Sequence, residues 1–144
     1  MTPVPDSRPA HHHPLLLALV AATGALGALS RALIGVALPP AHGWPVSTLI
    51  ANLTGALALG VVLEACARFG PWHRTALRVR IAVGTGFLGG YTTFSALALE
   101  TERLLAAGAI GQATGYVLGT MAGGVLLAWA GIGIGRRLSI GVRG

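Results

Sequence analysis

Gly84-Thr85-Gly86-Phe87-Leu88-Gly89-Gly90-Tyr91-Thr92-Thr93-Phe94-Ser95 is the stretch on which the fold turns. It lies in a charge-free interval, 81–99, close to the roughly 20 apolar residues that a membrane-spanning helix needs. Four Gly and a β-branched Thr pair make it a poor helix. A break there releases carbonyls and N–H groups, which a membrane tolerates only where buried protein or a cavity receives them. Discontinuous helices of this kind recur in transport proteins, where their exposed ends coordinate ions. Tight packing around small residues is the competing explanation.

Outward from this segment, three more charge-free intervals run over 9–30, 32–63 and 104–135. The second is interrupted by Pro39, Pro40 and the Ala41-His42-Gly43-Trp44-Pro45 turn. Four spans are therefore expected, at about 14–38, 46–67, 78–104 and 112–136, with a disordered tail over 1–13 and a short basic tail over 137–144. The composition agrees. Of 144 residues, 53% are apolar and 10% charged, against about 25% charged in ordinary soluble domains. Mean hydropathy is +0.72. So few charges cannot cover the surface of a water-soluble protein this small, which argues against a cytosolic enzyme. Arg8, the His11-His12-His13 run and the apolar Leu15–Leu29 core imitate a secretory signal peptide, but three further spans with no soluble domain behind them leave cleavage without purpose. The single Cys66 excludes an internal disulfide and supports no metal site.

The pI of 11.4 suggests a nucleic-acid binder until the ten basic residues, all Arg, are placed. Four spans put both termini and the 68–80 loop on one side, with Arg8, Arg68, Arg74, Arg78, Arg80, Arg136, Arg137 and Arg143. Only Arg31 and Arg103 fall on the other. Arginine marks the cytoplasmic side, so the termini are expected there, in an inner or plasma membrane.

Polar groups inside spans are costly and therefore informative. Asn52 sits near the middle of the second span, within Thr48-Leu49-Ile50-Ala51-Asn52-Leu53-Thr54-Gly55. A lone membrane Asn also serves as a helix–helix hydrogen bond. In the fourth span Tyr116, Thr120 and Gly124 follow one line at i, i+4, i+8, although a Thr hydroxyl often back-bonds to its own helix. Beside that line Gly111, Gly115, Gly119 and Gly123 form a stripe expected to admit a neighbouring backbone. Asn52, Ser95, Tyr116 and Thr120 together outline a ladder of donors without a fixed counter-charge. Such a ladder suits a small anion, which it can bind stepwise and release. The weakly positive edge of Phe94 adds to it.

Three ordered motifs resemble those of the CrcB/Fluc family of small fluoride channels across nearly all of 20–135. They are Gly24-x-x-Gly27-Ala28-x-x-Arg31, Thr48-Leu49-x-x-Asn52-x-x-Gly55, and Gly86-Phe87-x-Gly89-Gly90-x-Thr92-Thr93-Phe94-Ser95 followed by Glu100. The resemblance implies an all-α membrane protein of four transmembrane helices, the third broken at mid-membrane, paired as an antiparallel, dual-topology dimer. It implies passive fluoride efflux that lowers cytoplasmic fluoride, with Asn52, Phe94, Ser95, Tyr116 and Thr120 along the path. It also implies a structural sodium ion at the dimer centre, held by the main-chain carbonyls of Gly89 and Thr92. Arg31, Gly55 and Glu100 are expected to be structural.

Two positions depart from the family pattern: Leu97 stands where a second phenylalanine is expected, and Ala96 where a hydroxyl is. A chain that inserts both ways needs balanced arginines, and eight against two is not balanced. Of a homodimer and a heterodimer with an oppositely oriented paralogue, the imbalance favours the second. A small-multidrug-resistance-type exporter would need an acidic residue within the first span, and none is there. A non-transporting scaffold subunit would leave Asn52 and the glycine-rich third span without use. No Ser/His/Asp or Cys/His set supports an enzyme.

Overall fold

The computed structural model describes residues 14–41, 43–69 and 73–138. The expected tails, the His11–His13 run and His42 lie wholly or largely outside those residues. The protein is helical. Helix α1 (Pro14–Ala37) begins on a proline, whose missing N–H is no loss in a first turn, and it stops short of Pro39-Pro40. A tight turn follows, in which Ala41 and Trp44 exchange backbone hydrogen bonds of 3.2 and 2.9 Å around Gly43 at φ +81°. Helix α2 (Val46–Ala67) runs from there.

The next helical run starts at α3 (Arg74–Val79), capped by His73, whose Nδ1 accepts from the Ala76 N–H at 3.2 Å. It widens into a π-helix over Arg80–Leu88 and closes with one α-turn, α4 (Gly89–Tyr91). Thr92 (φ −83°, ψ 157°) and Thr93 (φ −151°, ψ 123°) are extended. Helix α5 (Phe94–Ala106) then begins, with the Thr93 hydroxyl accepting from the Ala96 N–H at 3.2 Å. Gly108, at φ +74°, turns the chain into α6 (Ile110–Leu138).

Among the described residues α1, α2 and α6 are long and apolar enough to cross a membrane. The third of the four expected spans is not such a helix, because Thr92 and Thr93 divide it. Its π-helical stretch was not expected either. An i→i+5 turn costs hydrogen-bond geometry and occurs mostly at functional sites.

Glycines set the packing. A Cβ on Gly60 would collide with the Ala128 carbonyl, and one on Gly131 with the Leu57 carbonyl, so α2 and α6 meet backbone to backbone. In the same way Gly27 lies on the Phe87 carbonyl and Gly90 on the Gly24 carbonyl, which seals α1 against the π-helix and α4. The expected stripe on α6 does not do this within the chain. Gly111 and Gly119 have nothing within 4 Å, Gly115 meets only the Trp44 ring and Gly123 only the Leu53 side chain. At 3.6 residues per turn, each four-residue step drifts by about 40°, so such a stripe cannot follow one neighbour along its length. The buried cluster of Leu97, Leu104, Ala113 and Tyr116 joins α5 to α6, with Trp44 and Leu49 against it.

Candidate functional site

Asn52 reaches the extended pair across the bundle. Its Nδ2 donates to the Thr93 carbonyl at 3.0 Å, and its Oδ1 accepts from the Thr93 N–H at 2.8 Å. The side-chain amide thus pairs with a backbone amide as two β-strands would, and satisfies both polar groups of a residue that has left the helix. A buried N–H or C=O left unpaired costs about 1–3 kcal/mol, so the break and Asn52 depend on each other. One Nδ2 hydrogen is used in this pair and the second points to no partner among the described residues.

Around this staple the other groups of the break are also engaged. The Thr92 N–H and hydroxyl both donate to the Leu88 carbonyl, at 3.0 and 2.9 Å. The Thr93 hydroxyl exchanges a 3.1 Å hydrogen bond with Ser95. Arg31 Nε approaches the Gly90 carbonyl at 3.4 Å, a cation at the carbonyl end of a helix, where the dipole favours it. Gly55 has no Cβ because the Thr92 methyl occupies that space. Thr54 and Tyr91 share a 3.0 Å hydroxyl contact.

A cavity of about 340 Å³ opens beside the staple, lined by Asn52, Gly89, Thr92, Phe94, Leu97 and Thr120, among others. Phe94 is 72% exposed. Leu97, which stands where the resemblance calls for an aromatic, lines the cavity yet is only 4% exposed, packed against Tyr116 and its neighbours. Ser95 is not among the lining residues; its hydroxyl is turned to Thr93.

Tyr116 and Thr120 share a helix but not a role. The Thr120 hydroxyl donates back to the Tyr116 carbonyl at 2.7 Å. Tyr116 is 1% exposed, and its hydroxyl donates to Glu100 Oε2 at 2.6 Å. The other carboxylate oxygen accepts from Thr48 at 2.8 Å. Three elements, α2, α5 and α6, therefore converge on one carboxylate. Charge-assisted bonds of this type are short and strong. Sequence reasoning placed Glu100 in a motif without seeing this triad. Its one trace was the spacing of Thr48, Asn52 and Gly55, at i, i+4 and i+7 on a single face of α2.

Among the described residues no three His, Cys, Asp or Glu side chains gather as metal ligands. A hard monovalent cation takes neutral oxygens, and the end of α4 offers them as backbone carbonyls. The Thr93 N–H is spent on Asn52 rather than on Gly89, four residues back. Gly89 itself opens onto the cavity, with nothing within 4 Å of a Cβ built there. The donor set fits such an ion.

These features define a helical protein of several apolar, membrane-length helices with a polar staple at an interrupted helix. The family described as "CrcB-like protein, Camphor Resistance (CrcB)" matches residues 18–132. The chain is 40% identical over 130 residues to the fluoride-specific ion channel FluC 2 of Leifsonia xyli subsp. xyli, covering 90% of each. It is 42% identical over 117 residues to FluC 1 of Cutibacterium acnes, covering 81% of this chain and 82% of that one. It is 40% identical over 124 residues to FluC of a Caulobacter strain, covering 85% and 95%. The chain belongs to the CrcB-like family.

Proposed function

We propose that this protein is a fluoride channel subunit that lowers cytoplasmic fluoride by passive efflux and so resists fluoride toxicity. Its similarity to proteins named fluoride-specific ion channels, at about 40% identity over most of the chain, supports the ion. The observation that supports the mechanism is the Asn52–Thr93 staple. It holds the broken helix open and leaves one amide N–H directed to a passing anion. In this reading α3 to α5 make the third crossing as two half-helices, with the break at mid-membrane. Phe94 lends its edge to the path, Thr120 lines the cavity, and Ser95 and Tyr116 complete the polar ladder through Thr93 and Glu100. Gly89 and Thr92 carbonyls would hold a sodium ion, which supplies positive charge at the centre of the assembly.

The subunit works as an antiparallel dimer in the cell or plasma membrane, with its termini cytoplasmic. The lopsided arginines favour an oppositely oriented paralogue as the second chain. Fluoride efflux from liposomes holding the purified chain tests the reading. Efflux absent from the chain alone and restored by a co-expressed paralogue is the expected result. Robust efflux from the lone chain overturns the unlike partner, and no efflux with any partner overturns the channel.

A further inference from the structure

The cationic end of the bundle is not uniform. Glu64 accepts ion pairs from Arg68 at 3.7 Å and from Arg136 at 3.4 Å, which ties the ends of α2 and α6 together. Arg74, Arg78, Arg80 and Arg137 are exposed and have no ion pair among the described residues. Of these four, Arg80 lines a cavity of about 280 Å³, shared with Leu63, Leu77, Ile81 and Thr85. That cavity and the one beside Asn52 have Leu59 and Gly84 in common.

The π-helix explains the connection. With i→i+5 bonding, its face recurs every four to five residues, roughly one more than in an α-helix. Arg80, Gly84 and then Leu88 and Gly89 thus fall on one side, and these are the residues that line the two cavities in succession. Arg80, Gly84 and Leu88 would stay within about 80° of one another in an α-helix too; the wider turn adds Gly89, which an α-helix would set about 180° from Arg80. Gly84 sits at the waist, where an added Cβ would meet only Leu59 Cδ1 at 3.7 Å. The two cavities thus adjoin at Leu59 and Gly84, with the Arg80 guanidinium, unpaired among the described residues, in one and the staple in the other.

We propose that Arg80 is an anion-recruiting residue at the arginine-rich mouth of the pathway, set in line with Asn52 by the π-helix. The inference rests on the channel reading above and extends it. A cationic group at the head of a low-dielectric groove focuses its field along the groove and raises the local anion concentration. Its reach in solution is set by screening, about 10 Å at 0.1 M salt.

The test is fluoride flux through the full chain, in its conducting assembly, in vesicles of phosphatidylcholine only. R80Q is compared with R80K and with R137Q, which removes the same charge from the same end but lines neither cavity. At low ionic strength R80Q is expected to cut flux about threefold to tenfold, within the range of steering effects. The deficit should shrink several-fold when impermeant salt is raised to about 0.5 M. R80K should retain most of the flux and R137Q nearly all of it. R80C adds a second arm, since Cys66 is buried and charged thiol reagents will find residue 80: a cationic reagent restores flux and an anionic one lowers it. Equal effects of R80Q and R137Q, or a deficit unchanged by salt, overturn the inference while leaving the channel intact. A deficit confined to vesicles with anionic lipid assigns the guanidinium to a lipid headgroup and also overturns it. Wild-type vesicles that pass no fluoride overturn the channel reading first, and Arg80 with it.

Discussion

Replacing Asn52 by Ala removes the two hydrogen bonds, of 3.0 and 2.8 Å, that hold Thr93. Each intramolecular bond of this kind contributes about 0.5–1.5 kcal/mol, and each buried group left unpaired costs about 1–3 kcal/mol. The Thr93 N–H and C=O both lose their partners at a half-buried site, so the extended conformation at the break is expected to weaken by about 1–3 kcal/mol, the net value of the two bonds. That is a factor of about 5 to 150 in the local opening equilibrium. Amide hydrogen exchange in nanodiscs reads this directly: protection at Thr93 should fall by that factor, while amides in the middle of α6 stay as they were. Asn52→Asp separates holding from conducting. It keeps the Oδ1 acceptor for the Thr93 N–H but sets an oxygen against the Thr93 carbonyl and removes the free N–H. It should keep more protection at Thr93 than the Ala variant yet carry no more fluoride. Unchanged Thr93 exchange in N52A would refute the staple, and N52D flux at the wild-type level would refute the donor.

The remaining predictions use the same structure at other points. Tyr116→Phe removes the 2.6 Å bond to Glu100 and should cost about 1.5–3 kcal/mol, the value of a bond to a charged group, read as lowered thermal stability in detergent. Combined with Thr48→Val it should be non-additive, because both hydroxyls serve one carboxylate. Gly131→Leu drives a side chain into the Leu57 carbonyl and should prevent α2 and α6 from docking, seen as loss of folded protein on size exclusion. Gly35→Ala, with nothing within 4 Å, should be neutral or stabilising by up to about 1 kcal/mol from helix propensity. Leu97→Phe restores the aromatic expected by resemblance, but into a site only 4% exposed; overpacking should cost about 1–3 kcal/mol in stability with no gain in fluoride flux.

Much of this was legible along the chain because the signals are local. Low charge, long apolar runs and paired prolines mark helices and their ends without reference to any partner. Helix α1 ends at Ala37, short of Pro39-Pro40, and α2 starts at Val46, just after Pro45. The anomaly of Gly84–Ser95 was equally visible, since glycine and threonine weaken a helix wherever it sits. The spacing of the glycine stripe on α6 shows which residues share a face and not what stands opposite, and within this chain no backbone does. Gly131 and Gly60 make the close approach instead, and neither stands out in the sequence.

What the sequence by itself determined is the class: a helical chain for a membrane, a weak point in its third segment, and a side-chain amide, Asn52, in the second. Only the tertiary structure decided how these meet. Asn52 and Thr93 are 41 residues apart, and Thr48 and Glu100 are 52 apart. No local preference fixes such pairs; they form only once α2 lies beside the extended pair and α5. The same holds for the π-helix, whose wider turn sets the register between Arg80 and Gly89.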